Sequence, residues 1–184
     1  MKNSPIILGI TGASGAIYAK RFLHIAKKRN VTVELIITKM GEAVLRHEGC
    51  ESILQHKKIH KIDDFFAPPA TGSSKYSGMA ILPCSMGTLG KIAAGTSNNL
   101  LIRAADVCLK ENRPLVIAPR EMPFNEIHLE NMLKLKRAGA IIMPACPHFY
   151  KHPQSVEDVV DTVVERVILL ASSSSYCLPV HLFK

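Results

Sequence analysis

An arginine and a glutamate stand side by side in Pro119-Arg120-Glu121-Met122-Pro123, directly after the apolar run 114–118. Opposite charges at the carboxyl end of a strand offer chemistry: a guanidinium can hold a phosphate bidentately, and a carboxylate can move protons. Open α/β sheets bind ligands in the crevice beyond their strand carboxyl ends, which is where this pair would sit. A solvated turn between two prolines would use the same residues without chemistry. The other strand ends therefore decide.

The first apolar run leads into Gly9-Ile10-Thr11-Gly12-Ala13-Ser14-Gly15-Ala16, a glycine turn that opens a helix. Such a turn brings backbone N–H groups close to an anion at the helix N-terminus. Its spacing is GxxGxxG, which departs from the dinucleotide GxGxxG, and no Gly-Lys-Ser/Thr of a P-loop follows. The second strand ends in Ile37-Thr38, a hydroxyl where an NAD enzyme places its ribose-binding acid; Glu34 has roughly the right distance but lies inside the strand. A mononucleotide phosphate fits better, with a tight ligand-free turn as the alternative. The third strand ends in Leu82-Pro83-Cys84-Ser85-Met86-Gly87-Thr88, gathering two hydroxyls and free N–H groups at one helix start. Capping alone would account for Ser85. One phosphorylated cofactor accounts more economically for Thr38, the Gly12 turn, Ser85 to Thr88 and Arg120 together. Arg103 and Lys110 stand seven residues apart, two turns along one helix face, as an exposed basic stripe or an anion site.

The elements that must position these residues alternate along the chain. Runs 6–10, 31–37, 79–82, 115–118 and 140–143 read as strands with little polar alternation, as parallel strands buried on both faces do. Between them 16–28, 41–47, 89–94, 100–112 and 126–137 fit helices. Ser155 with Asp158 opens a last helix to about Leu170, its valines and leucines recurring opposite Glu157, Asp161 and Glu165. The expected fold is α/β: a three-layer, Rossmann-like or flavodoxin-like parallel sheet with helices on both faces. The loop 63–77, rich in Pro, Gly and Ser, is expected either to move or to cover a site. From about residue 171 a serine-rich tail shows no pattern and would need a partner, a neighbouring subunit, to be ordered.

At 184 residues the whole chain, 1–184, is most simply one domain with a core between two helical layers. No apolar run reaches the roughly 18 residues of a membrane span. The N-terminus carries neither a signal-peptide nor a transit pattern, so a soluble, cytoplasmic protein is expected. Five cysteines, odd in number and without CxxC or Cys/His spacing, read as reduced thiols rather than zinc ligands. The net charge of +8 invites nucleic acid, but the basic residues are scattered and the chain has four Tyr, six Phe and no Trp, so stacking platforms are scarce. Lys27-Lys28-Arg29 opposes the dipole at a helix end. Small anionic molecules are the better partners.

ITGASGAIYA, PCSMGTL, NNLLIRAADVCLKE, PREMPFNEIHLENMLKL and AGAIIMPACPHFYKHP, in that order, resemble the flavin prenyltransferases of the UbiX/Pad type. The resemblance reaches from the N-terminus to about Leu170. It implies a flavodoxin-like FMN protein assembled as a dodecamer built from trimers. It also implies an enzyme that moves a dimethylallyl group from dimethylallyl phosphate to N5 and C6 of reduced FMN, and a decarboxylase of the UbiD type that receives the product. By the same resemblance Gly12, Ala13, Ser14, Thr38, Ser85, Met86, Gly87, Thr88 and Arg120 match FMN contacts. Arg103, Lys110, Tyr150 and Arg166 match the prenyl-phosphate cage, part of it from a neighbouring subunit, and Glu121 with Ser14 matches the proton-handling pair. The chain departs from the family near its C-terminus, where many members carry an aromatic, often Trp, and this chain ends Pro179-Val180-His181-Leu182-Phe183-Lys184.

These residue types suit the chemistry. Ionising an allyl phosphate builds charge on the departing phosphate, so an Arg/Lys cage stabilises the transition state preferentially and makes a metal dispensable. The paired-aspartate Mg²⁺ motif DDxxD is absent; Asp63-Asp64 is an isolated pair. Glu121 or the released phosphate could take the proton from C6. Tyr150 could instead pack a loop and Arg166 could pair with Asp161 or Glu165, while His148 and His152 read as loop surface. Two other functions compete: an FMN-dependent cysteine decarboxylase and a non-catalytic flavin-delivery subunit. The first would need a PASANT-like segment and an active histidine, where this chain has Pro83 to Thr88 and only His24. The second would not need Arg103, Lys110 and Arg166 together.

Overall fold

The computed structural model describes residues 4–172. Six parallel strands form one sheet, β1 (Ile6–Ile10), β2 (Val33–Ile37), β3 (Ile59–His60), β4 (Gly78–Cys84), β5 (Leu115–Pro119) and β6 (Ile141–Ile142), in the order β3-β2-β1-β4-β5-β6. The chain builds outward from β1 on one side and then returns to β4 on the other. The order therefore reverses between β1 and β4, which opens the crevice where sheets of this kind bind ligands.

Every residue of β1, β4 and β5 is buried, as the unbroken apolar runs require. Side chains alternate between two cores. Ile6, Leu8, Ile10, Leu35, Leu82 and Val116 face one layer, formed by α1 (Ala16–Lys28) and α6 (Val156–Ser172). Ile7, Ile36, Met79, Ile81 and Ile117 face the other, formed by α3 (Met86–Ala93), α4 (Leu100–Lys110) and α5 (Glu126–Arg137). The valine stripe of α6 fills the first core through Val160, Val163, Val164 and Val167. Two ion pairs tie α6 to α1: Asp161 accepts from Arg21 Nε at 2.7 Å and Glu165 from Arg29 at 2.8 Å.

Several boundaries move for local reasons. Met86 and Lys39 begin α3 and α2 (Lys39–His47) two or three residues earlier than the apolar pattern suggests, because Ser85 and Thr38 cap them directly. β3 was not expected: two residues beside β2 at the sheet edge carry no periodicity to read. Loop 63–77 is anchored at Pro69, Ala70 and Tyr76, which are buried, with Arg103 Nε donating to the Ala70 carbonyl at 3.2 Å, while Phe65 and Phe66 are exposed. The Ser155–Asp158 cap holds in both directions at 3.1 Å, and α6 runs on to Ser172. The tail expected from about residue 171 otherwise lies outside the described residues, as do the C-terminal aromatic position and Cys177. Among the described residues no helix is long and apolar enough to cross a membrane, and Cys50, Cys84, Cys108 and Cys146 are free thiols.

Candidate active site

The carboxyl ends of β1 and β4 are joined by one buried hydroxyl. Thr11 Oγ1 donates to the Pro83 carbonyl at 2.9 Å and accepts from Ser85 N–H at 2.7 Å. The glycine turn and the start of α3 are thereby fixed side by side at the switch point. Arg120 closes the third side: its N–H donates to the Cys84 carbonyl at 3.1 Å and its Nε to the Ser14 carbonyl at 3.1 Å.

Helix α2 lies across this crevice. At its start, a Cβ on Gly12 would come within 2.6 Å of Met40 Cβ, so only glycine lets the turn pass beneath it. At its end, Glu48 sends its carboxylate to the N-terminus of α1, accepting from Ala16 N–H at 2.7 Å and Gly15 N–H at 3.0 Å. Burial pushes this carboxyl up, but the Ser14 hydroxyl, the two backbone donors and the nearby Arg120 charge outweigh it and hold the group below the usual carboxylate range. Glu48 was missed in the sequence. It stands 33 residues from Gly15, and only the direction of α2 brings them together.

This carboxylate divides the donors of the turn. Gly15 and Ala16 N–H are spent on Glu48, whereas the N–H groups of Gly12, Ala13 and Ser14 have no acceptor among the described residues. At the second helix start, Thr88 N–H is taken by the Ser85 cap at 3.4 Å and Ser85 Oγ lies 3.1 Å from Thr88 Oγ1. Met86 and Gly87 N–H have no acceptor among the described residues, and open space surrounds the position of a Gly87 Cβ. Thr38 caps α2 through Gly41 N–H at 3.0 Å. Unsatisfied donors in groups of three and two, with a guanidinium between them, make an anion cradle.

The charged neighbours Arg120 and Glu121 do not pair. Arg120 turns to Ser14, while the exposed Glu121 carboxylate accepts from the adjacent Met122 N–H at 3.0 Å. Nor does one chain assemble the basic cage. Arg103 and Lys110 ride on α4 and Arg166 on α6, on opposite faces of the sheet. Arg103 bonds Asp106 at 2.8 Å and Lys110 pairs with Glu111. Arg166 makes no ion pair among the described residues, because Asp161 and Glu165 hold Arg21 and Arg29 instead. Tyr150 stands 73% exposed in the loop before α6. Among the described residues no cluster of three His, Cys, Asp or Glu could hold a metal ion. His24 is exposed on α1, outside the crevice lined by the glycine turn.

A family model described as Flavoprotein matches residues 1–168. A flavin prenyltransferase UbiX of Methanocaldococcus jannaschii is 50% identical over 167 residues, covering 89% of this chain and 90% of the relative. The solved structure of AnUbiX (PadA1), in complex with FMN and dimethylallyl pyrophosphate, superposes with a TM-score of 0.87 at 39% identity over 93% of each chain. A dodecameric FMN-dependent UbiX-like decarboxylase from Escherichia coli O157:H7 superposes with a TM-score of 0.82 at 40% identity, covering 89% of this chain and 92% of that one.

Proposed function

Because this chain belongs to the Flavoprotein family, among flavin prenyltransferases of the UbiX type, we propose that it joins a dimethylallyl group from dimethylallyl phosphate to N5 and C6 of reduced FMN. The observation that carries this reading is the anion cradle at the β1/β4 switch point. Its free N–H groups at Gly12 to Ser14 and Met86 to Gly87, with the Arg120 guanidinium, suit a mononucleotide phosphate. Thr38, Ser85 and Thr88 border the same pocket, their hydroxyl oxygens fixed by capping bonds. Reduced FMN supplies the nucleophile.

The residues around it bind, orient and carry protons. When the allyl carbon–oxygen bond breaks, its electron pair goes to the phosphate, and cationic side chains stabilise that charge as it forms. Tyr150 and Arg166 from one subunit and Arg103 and Lys110 from a neighbour form this cage, since α6, which carries Arg166, and α4, which carries Arg103 and Lys110, lie on opposite faces of one chain's sheet. Ser14, held beside the ionised Glu48, is the proton carrier at the glycine turn, while Glu121 serves the departing phosphate. No metal is needed where Arg and Lys neutralise the leaving group. The enzyme works in the cytoplasm as an oligomer, a dodecamer built from trimers, and passes its product to a decarboxylase of the UbiD type.

The test is mass analysis of flavin recovered after anaerobic incubation with reduced FMN and dimethylallyl phosphate. A flavin heavier by one five-carbon unit is expected. Unmodified FMN would overturn the reading, leaving a flavin carrier. Carbon dioxide release from a C-terminal cysteine peptide would favour the decarboxylase instead.

A further inference from the structure

The loop between β6 and α6 is pinned at both ends and exposed at its tip. Ala145 N–H donates to the Pro119 carbonyl at 3.2 Å, next to Arg120, and the Ser155–Asp158 cap fixes the start of α6. Between these anchors His148 N–H donates to Thr162 Oγ1 on α6 at 3.4 Å. Tyr150, two residues on, is largely exposed, and its hydroxyl has no hydrogen-bond partner among the described residues. Its ring nevertheless has a fixed neighbour: it lies on the imidazole of His148, with centroids 4.1 Å apart and planes 14° apart.

The His148 ring is partly buried, and its Nδ1 is a buried polar atom without a hydrogen-bond partner. Buried side-chain nitrogens are ordinarily paired. A ring whose buried nitrogen is left idle while its face is covered by a phenol serves through that face.

We infer that His148 is a positioning residue: its backbone, tied to Thr162, holds a flat platform on which Tyr150 stacks, presenting the phenol hydroxyl toward the prenyl phosphate. The inference rests on the reading above that Tyr150 contacts that phosphate. An exposed tyrosine at a loop tip would otherwise have to be ordered as the ligand arrives, and preorganisation removes that cost. An aromatic stack of this kind corresponds to about a 2- to 10-fold change in affinity.

The experiment measures dimethylallyl phosphate binding to protein loaded with oxidised FMN by calorimetry, and KM and kcat with reduced FMN. His148→Ala should raise Kd and KM about 2- to 10-fold with kcat little changed. His148→Phe should restore wild-type values, because it keeps a flat ring for Tyr150 to stack on while removing both ring nitrogens. His148→Leu, which fills the space without a flat π face, should behave as the alanine variant and covers the case where that one fails to fold. In a Tyr150→Ala background, His148→Ala should add nothing. Unchanged binding in His148→Ala and His148→Leu beside impaired Tyr150→Ala would overturn this inference alone, as would a phenylalanine variant as weak as alanine. Unchanged binding in Tyr150→Ala would overturn the placement of Tyr150 at the phosphate, and the role of His148 with it.

Discussion

Replacing Glu48 by glutamine tests whether the start of α1 is held by a carboxylate or merely filled by a side chain. The native group accepts from Ala16 N–H at 2.7 Å and from Gly15 N–H at 3.0 Å, with the Ser14 hydroxyl beside it. Glutamine has one acceptor oxygen, and its amide nitrogen would face a backbone donor. A hydrogen bond to a charged group contributes about 1.5–3 kcal/mol against about 0.5–1.5 for a neutral one. The two short bonds reach the same oxygen, Oε2, and both weaken when it becomes an amide oxygen, while the 3.2 Å contact of Gly15 N–H to Oε1 is lost; the site is partly open to water, which replaces some of the loss. The net destabilisation at pH 7 is then about 1–2 kcal/mol, or roughly 2–8 °C in Tm for a chain of this size.

The pH dependence identifies the cause. Glu48 has a folded pKa held below its ordinary value of 4.5, so its stabilisation is present above that value and fades as pH falls through the folded pKa. Thermal unfolding of FMN-free wild type and Glu48→Gln, followed from pH 7 to below 4, should therefore show two curves that converge on acidification. FMN is left out because a ligand that binds only the folded state would mask the difference. Equal stability at pH 7, or a gap that stays constant through the acid range, would refute the argument.

Four further outcomes are expected. Arg120→Ala should weaken FMN binding about 10-fold or more in equilibrium titration through loss of a charge-assisted contact, whereas Glu121→Gln should keep FMN and lose prenylated product by about 10²- to 10⁴-fold; wild-type turnover in Glu121→Gln would reduce that residue to structure. Protein stripped with a chelator should retain activity in the mass assay, and a strict need for added Mg²⁺ would contradict the metal-free cage. Glu34 is 2% exposed and accepts from Tyr76 at 2.7 Å, bonds His60 at 2.7 Å and pairs with Lys58. Burial raises this carboxyl, the three partners lower it more, and Glu34→Ala, which leaves the buried Tyr76 hydroxyl and the His60 ring without their acceptor while the exposed Lys58 returns to water, should cost about 1–3 kcal/mol in denaturant titration at pH 7, a deficit that narrows as pH falls below 4.5, the group's ordinary value. Mixed oligomers of inactive Arg103→Ala and Arg166→Ala subunits should regain activity, about a quarter of wild type by random pairing, and no recovery would place the cage within one chain.

The order of elements was legible because each buried parallel strand writes itself as an unbroken apolar run, and each site-bearing turn follows such a run directly. Gly12 to Ser14, Ser85 to Thr88 and Arg120 could be singled out as candidates for that reason: each follows a strand's carboxyl end, a place that sequence marks. Ser85 was also readable as a cap, and it does cap; the capping role of Thr38 was not read. β3 could not be read, since two edge residues carry no period. Glu48 and Glu34 were illegible in their roles because each depends on a tertiary approach. One is fixed by the path of α2 over the glycine turn, the other by Lys58, His60 and Tyr76 converging from β3 and the loop before β4.

The two illegible carboxylates differ in what surrounds them, and the difference separates structure from chemistry. Glu34 sits inside β2 with three side-chain partners and no open space, a closed set that stabilises the sheet edge. Glu48 instead takes the two donors nearest the helix and leaves the next three, Gly12 to Ser14, facing the crevice. A negative charge that satisfies the α1 terminus also opposes a second anion at that spot, so an incoming phosphate is directed toward the unspent donors and Arg120. The glycine turn thus has an anionic wall on its helix side and an anion cradle on its strand side. Ser14 lies at the boundary between them, its hydroxyl beside the Glu48 carboxylate and its backbone N–H without an acceptor among the described residues.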